Sequence, residues 1–140
     1  MKIGIVSGYF NPLHKGHIEY INQAKVNCDL LLAIINNDYQ VSLKGSKQFL
    51  DASHRALIIQ NLKSIDMVLI SKDNDLSVSK TLQLIRSNFP NFTILFFNSG
   101  DRVEENWNKE ELDVCRKCNI EVVGLDQPKI SSSSSILSVI

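Results

Sequence analysis

The sequence predicts an α/β fold: one sheet of five parallel strands with helices on both faces. Three observations predict it. Short apolar runs, β-branched or aromatic, recur five times along the 140 residues. They are continuous rather than alternating, as strands covered on both faces are. Segments with helical spacing lie between them, and that alternation implies βαβ units with right-handed crossovers. Polar clusters follow the first, second and fourth runs, where open parallel sheets bind ligands.

The first strand is Ile3–Val6. A helix over about Gly16–Val26 follows, with Ile18, Ile21 and Ala24 or Lys25 at helical spacing. The second strand is Leu30–Ile35, and Asn36, Asn37 and Asp38 after it read as loop and turn residues or as ligand contacts. A helix over about 51–63 carries Ala52, Ala56, Ile59 and Leu62 on one side, with Asp51 or Ser53 as its N-cap. Met67–Ile70 is the third strand. A helix over about Ser77–Ser87 uses Val78, Leu82 and Ile85. Thr93–Phe97 is the fourth strand, a helix over about Asn108–Lys117 uses Leu112 and Cys115, and Ile120–Val123 is the fifth strand. Ser131–Ser135 precedes the apolar Ile136-Leu137-Ser138-Val139-Ile140, which reads as a short terminal helix rather than a free tail.

Composition narrows the function. The chain is 44% apolar and 21% charged with zero formal net charge, which suits one globular domain over 1–140 and argues against a nucleic-acid-coating or membrane-surface protein. No apolar run reaches the roughly 20 residues of a membrane span, and the N-terminus reads as a strand rather than a signal segment, so the cytosol is expected. Cys28, Cys115 and Cys118 read as reduced thiols: Cys115-x-x-Cys118 has no second ligand pair nearby for zinc. Trp107 reads as structural, at the edge of the domain.

The chemistry concentrates in Ser7-Gly8-Tyr9-Phe10-Asn11-Pro12-Leu13-His14-Lys15-Gly16-His17. It runs from a strand through a glycine-containing turn into a helix. A helix beginning near Gly16 puts His17 in its first turn, where outward backbone N–H groups and the dipole favour anions. His14, just before, can face the same point. The arrangement suits a polyphosphate.

This stretch resembles the G-x-F-D-x-x-H-x-G-H element of the HxGH nucleotidyltransferases, and Ile130-Ser131-Ser132-Ser133-Ser134-Ser135-Ile136 resembles their I-S-[ST]-[ST]-x-I element. The pattern is similar to small cytidylyltransferases, such as glycerol-3-phosphate cytidylyltransferase, and to the adenylyltransferase domain of bacterial heptose-phosphate enzymes. Asn37-Asp38, the lysines of Leu43-Lys44-Gly45-Ser46-Lys47, Arg55 through Asp66, and Gly100-Asp101 carry the rest of the likeness. The resemblance implies a Rossmann-like sheet and transfer of CMP from CTP to a small phosphorylated alcohol, sugar or phosphonate, releasing pyrophosphate. ATP as donor is the alternative, and a nucleotide-binding module without turnover is a third reading. It implies that His14, His17 and Lys44 are catalytic, Lys44 closing from a mobile loop. It implies nucleotide contacts from Gly8, Tyr9, Phe10, Asn11, Gly16, Gly100, Asp101, Ile130, Ser131 and Ser132, and substrate contacts from Asp38 and Lys47. Arg55 reads either as a substrate-phosphate ligand or as one half of a helix-surface ion pair. Mg²⁺ arrives with the nucleotide rather than at a protein site, and a homodimer is expected. Two letters depart from the family: Asn11 stands where it has aspartate, and Lys129 where the cytidylyltransferases carry an arginine near the second element. Both bear on base and acceptor.

Overall fold

The computed structural model describes residues 1–99 and 106–125; the terminal helix expected after Ser131 lies outside them. Five parallel strands form one sheet: β1 (Lys2–Gly8), β2 (Leu30–Ile35), β3 (Met67–Ile70), β4 (Thr93–Asn98) and β5 (Glu121–Gly124), in the order β3-β2-β1-β4-β5. This is the Rossmann-like arrangement. The chain starts in the middle of the sheet, builds outward through β2 and β3, then crosses back to lay β4 against the other side of β1. Ile5 therefore pairs with Leu32 on one side and Phe96 on the other. The reversal opens a crevice beyond the carboxyl ends of β1 and β4.

Helices α1 (Lys15–Lys25), α2 (Asp38–Lys44), α3 (Ala52–Gln60), α4 (Ser79–Asn88) and α5 (Lys109–Lys117) complete the described fold. Successive strand residues point to opposite faces, so β2 divides its apolar run. Leu31, Ala33 and Ile35 join Ile21 and Ala24 of α1 and Ile59 of α3 in one core. Leu32 and Ile34 join Leu82 and Ile85 of α4 and Cys115 of α5 in the other. Each such fully buried Leu or Ile side chain contributes about 1.5–3 kcal/mol.

Four of the expected helices are present, with ends within three residues of those expected. Helix α3 is capped by Asp51 and stops at Gln60, not at 63. On α1 Tyr20 turns inward beside the expected Ile21 and Ala24, its hydroxyl donating to Phe97 O at 2.7 Å, while Ile18 is 38% exposed. Burial holds the Cys115 thiol up at about 12, with Glu111 and Cys118 adding to the effect, so it is an inert core thiol. Trp107 covers Gly124 at the end of β5.

Helix α2 is new relative to the sequence expectation. Asn37 is its N-cap, accepting from Gln40 N, and Gly45 closes it in the left-handed region at φ 79°. Its fully buried Gln40 ties loops together. Its Nε2 donates to Asp75 O (2.7 Å) and Ser77 O (2.8 Å), and its Oε1 accepts from Asn36 Nδ2 and Asn37 N, both at 3.0 Å. A carboxylate can replace the acceptor but not the two donors. Gln40→Glu is expected to destabilise the fold by about 2–4 kcal/mol, read as a lowered urea midpoint at unchanged slope. An unshifted midpoint would mean the 75–77 loop is held by other groups.

Candidate active site

The turn after β1 brings the two histidines together through backbone contacts that it makes with itself. His14 is the N-cap of α1. Gly16 N–H donates to His14 Nδ1, and His14 N–H donates to His17 Nδ1, both at 3.1 Å. An imidazole nitrogen that accepts cannot carry a proton, so each neutral ring is protonated at Nε2. The rings stack at 3.7 Å between centroids with an interplanar angle of 28°. Phe10 meets His17 edge-on at 4.9 Å. The expectation that first-turn N–H groups point outward needs correction for two of them: Gly16 N–H turns to His14 Nδ1 and His17 N–H to His14 O. The histidine Nε2–H groups are the donors that the turn presents in their place.

Both glycines of the turn are close approaches. A Cβ on Gly16 would stand 3.0 Å from His14 Cε1, and one on Gly8 would stand 2.9 Å from Phe10 Cζ. Phe10 is buried and sits at φ 49°, an uncommon conformation for a bulky residue. Its ring fills the space that Gly8 leaves, beneath His17.

Gly8, Tyr9, His14, Gly16, His17 and Lys44 all line one cleft of about 480 Å³ at the crevice beyond β1 and β4. Lys44 comes from the last turn of α2, not from a loop, at a helix end whose dipole favours a cation. Its Nζ lies 4.3 Å from the centre of the Tyr9 ring, within cation–π range. Burial first, then Glu111, raises the Tyr9 phenol, with Arg55 partly opposing, so Tyr9 keeps its hydroxyl proton.

Several lining residues were not anticipated as site residues, among them Glu19, Gln23 and Glu111. Glu19 and Gln23 repeat the face of Gly16 at helical spacing, a signal present in the sequence. Glu111, in the first turn of α5 after the Asn108 cap, reads as a capping-box residue. Its Oε2 instead accepts Val78 N–H at 2.9 Å, bringing α5 to the cleft.

A family model described as cytidylyltransferase-like matches residues 5–137. The chain belongs to that family. The chain spans about a fifth of the length of several curated relatives that it matches and nearly the whole length of others. The cytidylyltransferase-like chain is 30% identical over 137 residues to an FAD synthase of Korarchaeum cryptofilum, covering 95% of this chain and 87% of that protein. It is 36% identical over 86 residues to the bifunctional protein HldE of Caulobacter vibrioides, a match that takes in 59% of this chain and 18% of that longer protein. A lipopolysaccharide core biosynthesis protein from Thermoplasma volcanium shares the fold, with a TM-score of 0.70 at 19% identity over 92% of this chain and 99% of that one.

Other expected site residues of this cytidylyltransferase-like chain stand behind the cleft or at its margin. Arg55 is neither a surface residue nor open to a substrate: its side chain is 0% exposed. Its Nη1 donates to Tyr9 O and Asn36 O, both at 2.7 Å, its Nε to Leu50 O at 3.0 Å, and its Nη2 to Asp38 Oδ1 at 3.0 Å. A buried guanidinium is retained because carbonyls and a carboxylate surround it. Asp38 Oδ1 also accepts Ala52 N–H at 2.8 Å. Asn11 turns to the main chain of Lys47 and Phe49. The Lys47 ammonium lies 5.4 Å from the Phe49 ring centre, and Lys47 is not among the residues lining the cleft. Gly100, Asp101, Ile130, Ser131 and Ser132 lie outside the described residues. Among the described residues, no helix is long and apolar enough to cross a membrane.

Proposed function

We propose that this chain transfers AMP from ATP to the phosphate of a small acceptor, releasing pyrophosphate. The observation that carries nucleotidyl transfer is the convergence of two Nε2–H donors and the Lys44 ammonium on one cleft. An acceptor phosphate oxygen attacks the α-phosphorus in line. The bond from that phosphorus to the bridging oxygen breaks, and the pyrophosphate leaves with the electron pair. No covalent enzyme intermediate is required. His14 and His17 donate to phosphate oxygens as charge moves toward the leaving group, and Lys44 offsets charge in the same cleft. By resemblance, Ser131 and Ser132 hold the β- and γ-phosphates, with Gly100 and Asp101 toward the nucleoside and Lys47 at the acceptor.

Nucleotidyltransferases of this kind generally use divalent metal ions. Mg²⁺ would be carried mainly by the triphosphate oxygens. When bound, the ion would neutralise phosphate charge. We also propose a homodimer, to be read by gel filtration.

Adenine is favoured because two relatives matched over nearly the whole chain are FAD synthases. CMP transfer from CTP is the second reading, supported by the description of the matching family model. The donor should reveal itself by stabilising the native state: at 100 times its dissociation constant it adds about 2.7 kcal/mol. A thermal-shift comparison of ATP and CTP with Mg²⁺ is expected to give the larger rise with ATP; a larger rise with CTP reverses the choice of base. Pyrophosphate release is then screened against FMN, phosphorylated polyols, sugar phosphates and phosphonates. No shift with any nucleotide and no release under any pairing would end the transfer reading, whereas tight binding without product would leave a module without turnover.

A further inference from the structure

The family's aspartate position, Asn11 here, carries a second role. Its carboxamide spans to the connection between α2 and α3. Nδ2 donates to Lys47 O at 2.7 Å, and Oδ1 accepts Phe49 N–H at 2.9 Å. Both bonds fall on main chain, so they act whatever side chains occupy 47 and 49.

That connection has few other holds. Residues 45–49 are exposed, and nothing stands within 4 Å of where a Cβ on Gly45 would lie. A segment with so little buried contact opens easily unless its backbone is tied. Besides Asn11, Ser46 N–H reaches back to Val41 O at 3.2 Å, and Arg55 Nε holds Leu50 O. Lys44 is the residue immediately before this connection, with its ammonium on the Tyr9 ring. Among the described residues lining the cleft it is the only lysine or arginine. The turn of residues 9–11 thus grips the α2 end at two points, through the Tyr9 ring and through the Asn11 amide.

We propose that Asn11 is a positioning residue: its amide clasps the α2–α3 connection to the histidine turn and so sets Lys44 over the cleft. The proposal rests on the nucleotidyl-transfer reading. It also explains why an amide occupies the position. Lys47 O requires a donor, and Phe49 N–H requires an acceptor. An ionised aspartate meets only the second and sets a negative oxygen against a carbonyl. A protonated aspartate meets both.

The test follows that difference. With MgATP and whichever acceptor gives turnover in the screen above, kcat/KM of Asn11→Asp is expected to fall at least about tenfold below the natural protein at pH 8, from displacement of a charge-bearing group. The deficit should shrink several-fold toward pH 4, near the ordinary aspartate pKa of about 3.9, where about half of the carboxyl carries its proton. Asn11→Ala should show a deficit that does not change with pH. Asn11→Ala should also add little to Lys44→Ala, because residues acting as one unit are not additive. In the ligand-free protein, the Phe49 amide should exchange with solvent at least about tenfold faster in Asn11→Ala. An Asn11→Asp rate within twofold of the natural protein at pH 8, a pH-independent deficit in that variant, or additive losses with Lys44→Ala would each overturn the clasp. If the natural protein gives no turnover with any acceptor, the reaction reading falls. The exchange rate of the Phe49 amide then decides the clasp alone, an unchanged rate overturning it.

Discussion

His17→Ala is expected to lower nucleotidyl transfer by about two orders of magnitude or more, the loss typical when one transition-state donor is removed. The size follows from how the ring is held. His17 Nδ1 is committed to His14 N–H, and the ring is fixed by stacking on His14 and by the edge of Phe10. Its Nε2–H is therefore placed before the nucleotide arrives, and no reorganisation is needed as charge develops. Alanine removes that donor and also leaves the N–H of the N-cap residue His14 without its partner, which costs about 1 kcal/mol of stability. Asparagine separates the two effects. Its side-chain oxygen can accept the His14 N–H, but its amide is too short to put a donor where Nε2 stood. His17→Asn is expected to recover most of the melting temperature and little of the turnover. Rates of pyrophosphate release and melting temperatures for both variants check this, with His14→Ala as the companion. Near-normal turnover in either alanine variant would remove that histidine from the catalytic role.

The histidine turn was legible because its signal is local: a strand, a turn and a helix start are contiguous, and both rings are held by groups of the same turn. The strands were legible for a related reason. Leu30–Ile35 is buried on both faces, so its apolar run has no polar interruption to blur its ends. Helix α2 was not legible. It has seven residues, too few for periodicity, and its inward positions are Val41 and the polar Gln40. The hydrogen bonds that bury Gln40 come from residues up to 37 positions away in the chain. Asp73 was missed in the same way. It accepts Lys80 N–H and Thr81 N–H at the start of α4 across an intervening loop, so no capping signature stands next to the helix. Polar residues that serve distant backbone look, in sequence, like solvated ones.

Arg55 is the largest instance of that rule, and replacing it is expected to have the largest effect on stability. Arg55→Ala strands the carbonyls of Tyr9, Asn36 and Leu50 and leaves Asp38 unpaired. Asp38 is 48% exposed, so water can solvate its charge, and the penalty comes chiefly from the carbonyls and from lost packing. At about 1–3 kcal/mol for a buried unsatisfied group, with some relief from entering water, the loss is about 3–5 kcal/mol, or roughly 10 °C or more in melting temperature for a domain of this size. Lysine keeps the charge but brings a single ammonium where a planar fork meets partners in three directions, so Arg55→Lys should recover only a minor part of the loss. A substrate-phosphate ligand would behave in the opposite way: alanine would raise KM and leave the melting temperature nearly unchanged. Thermal melts of the ligand-free variants therefore separate the two roles without any knowledge of the acceptor. The strut reading also predicts where the damage lies. Tyr9 belongs to the histidine turn, Asn36 ends β2 and Leu50 leads into α3, so hydrogen exchange in Arg55→Lys should quicken first around these three residues. If the melting temperature holds and exchange there is unchanged, Arg55 is not the strut, whatever its burial.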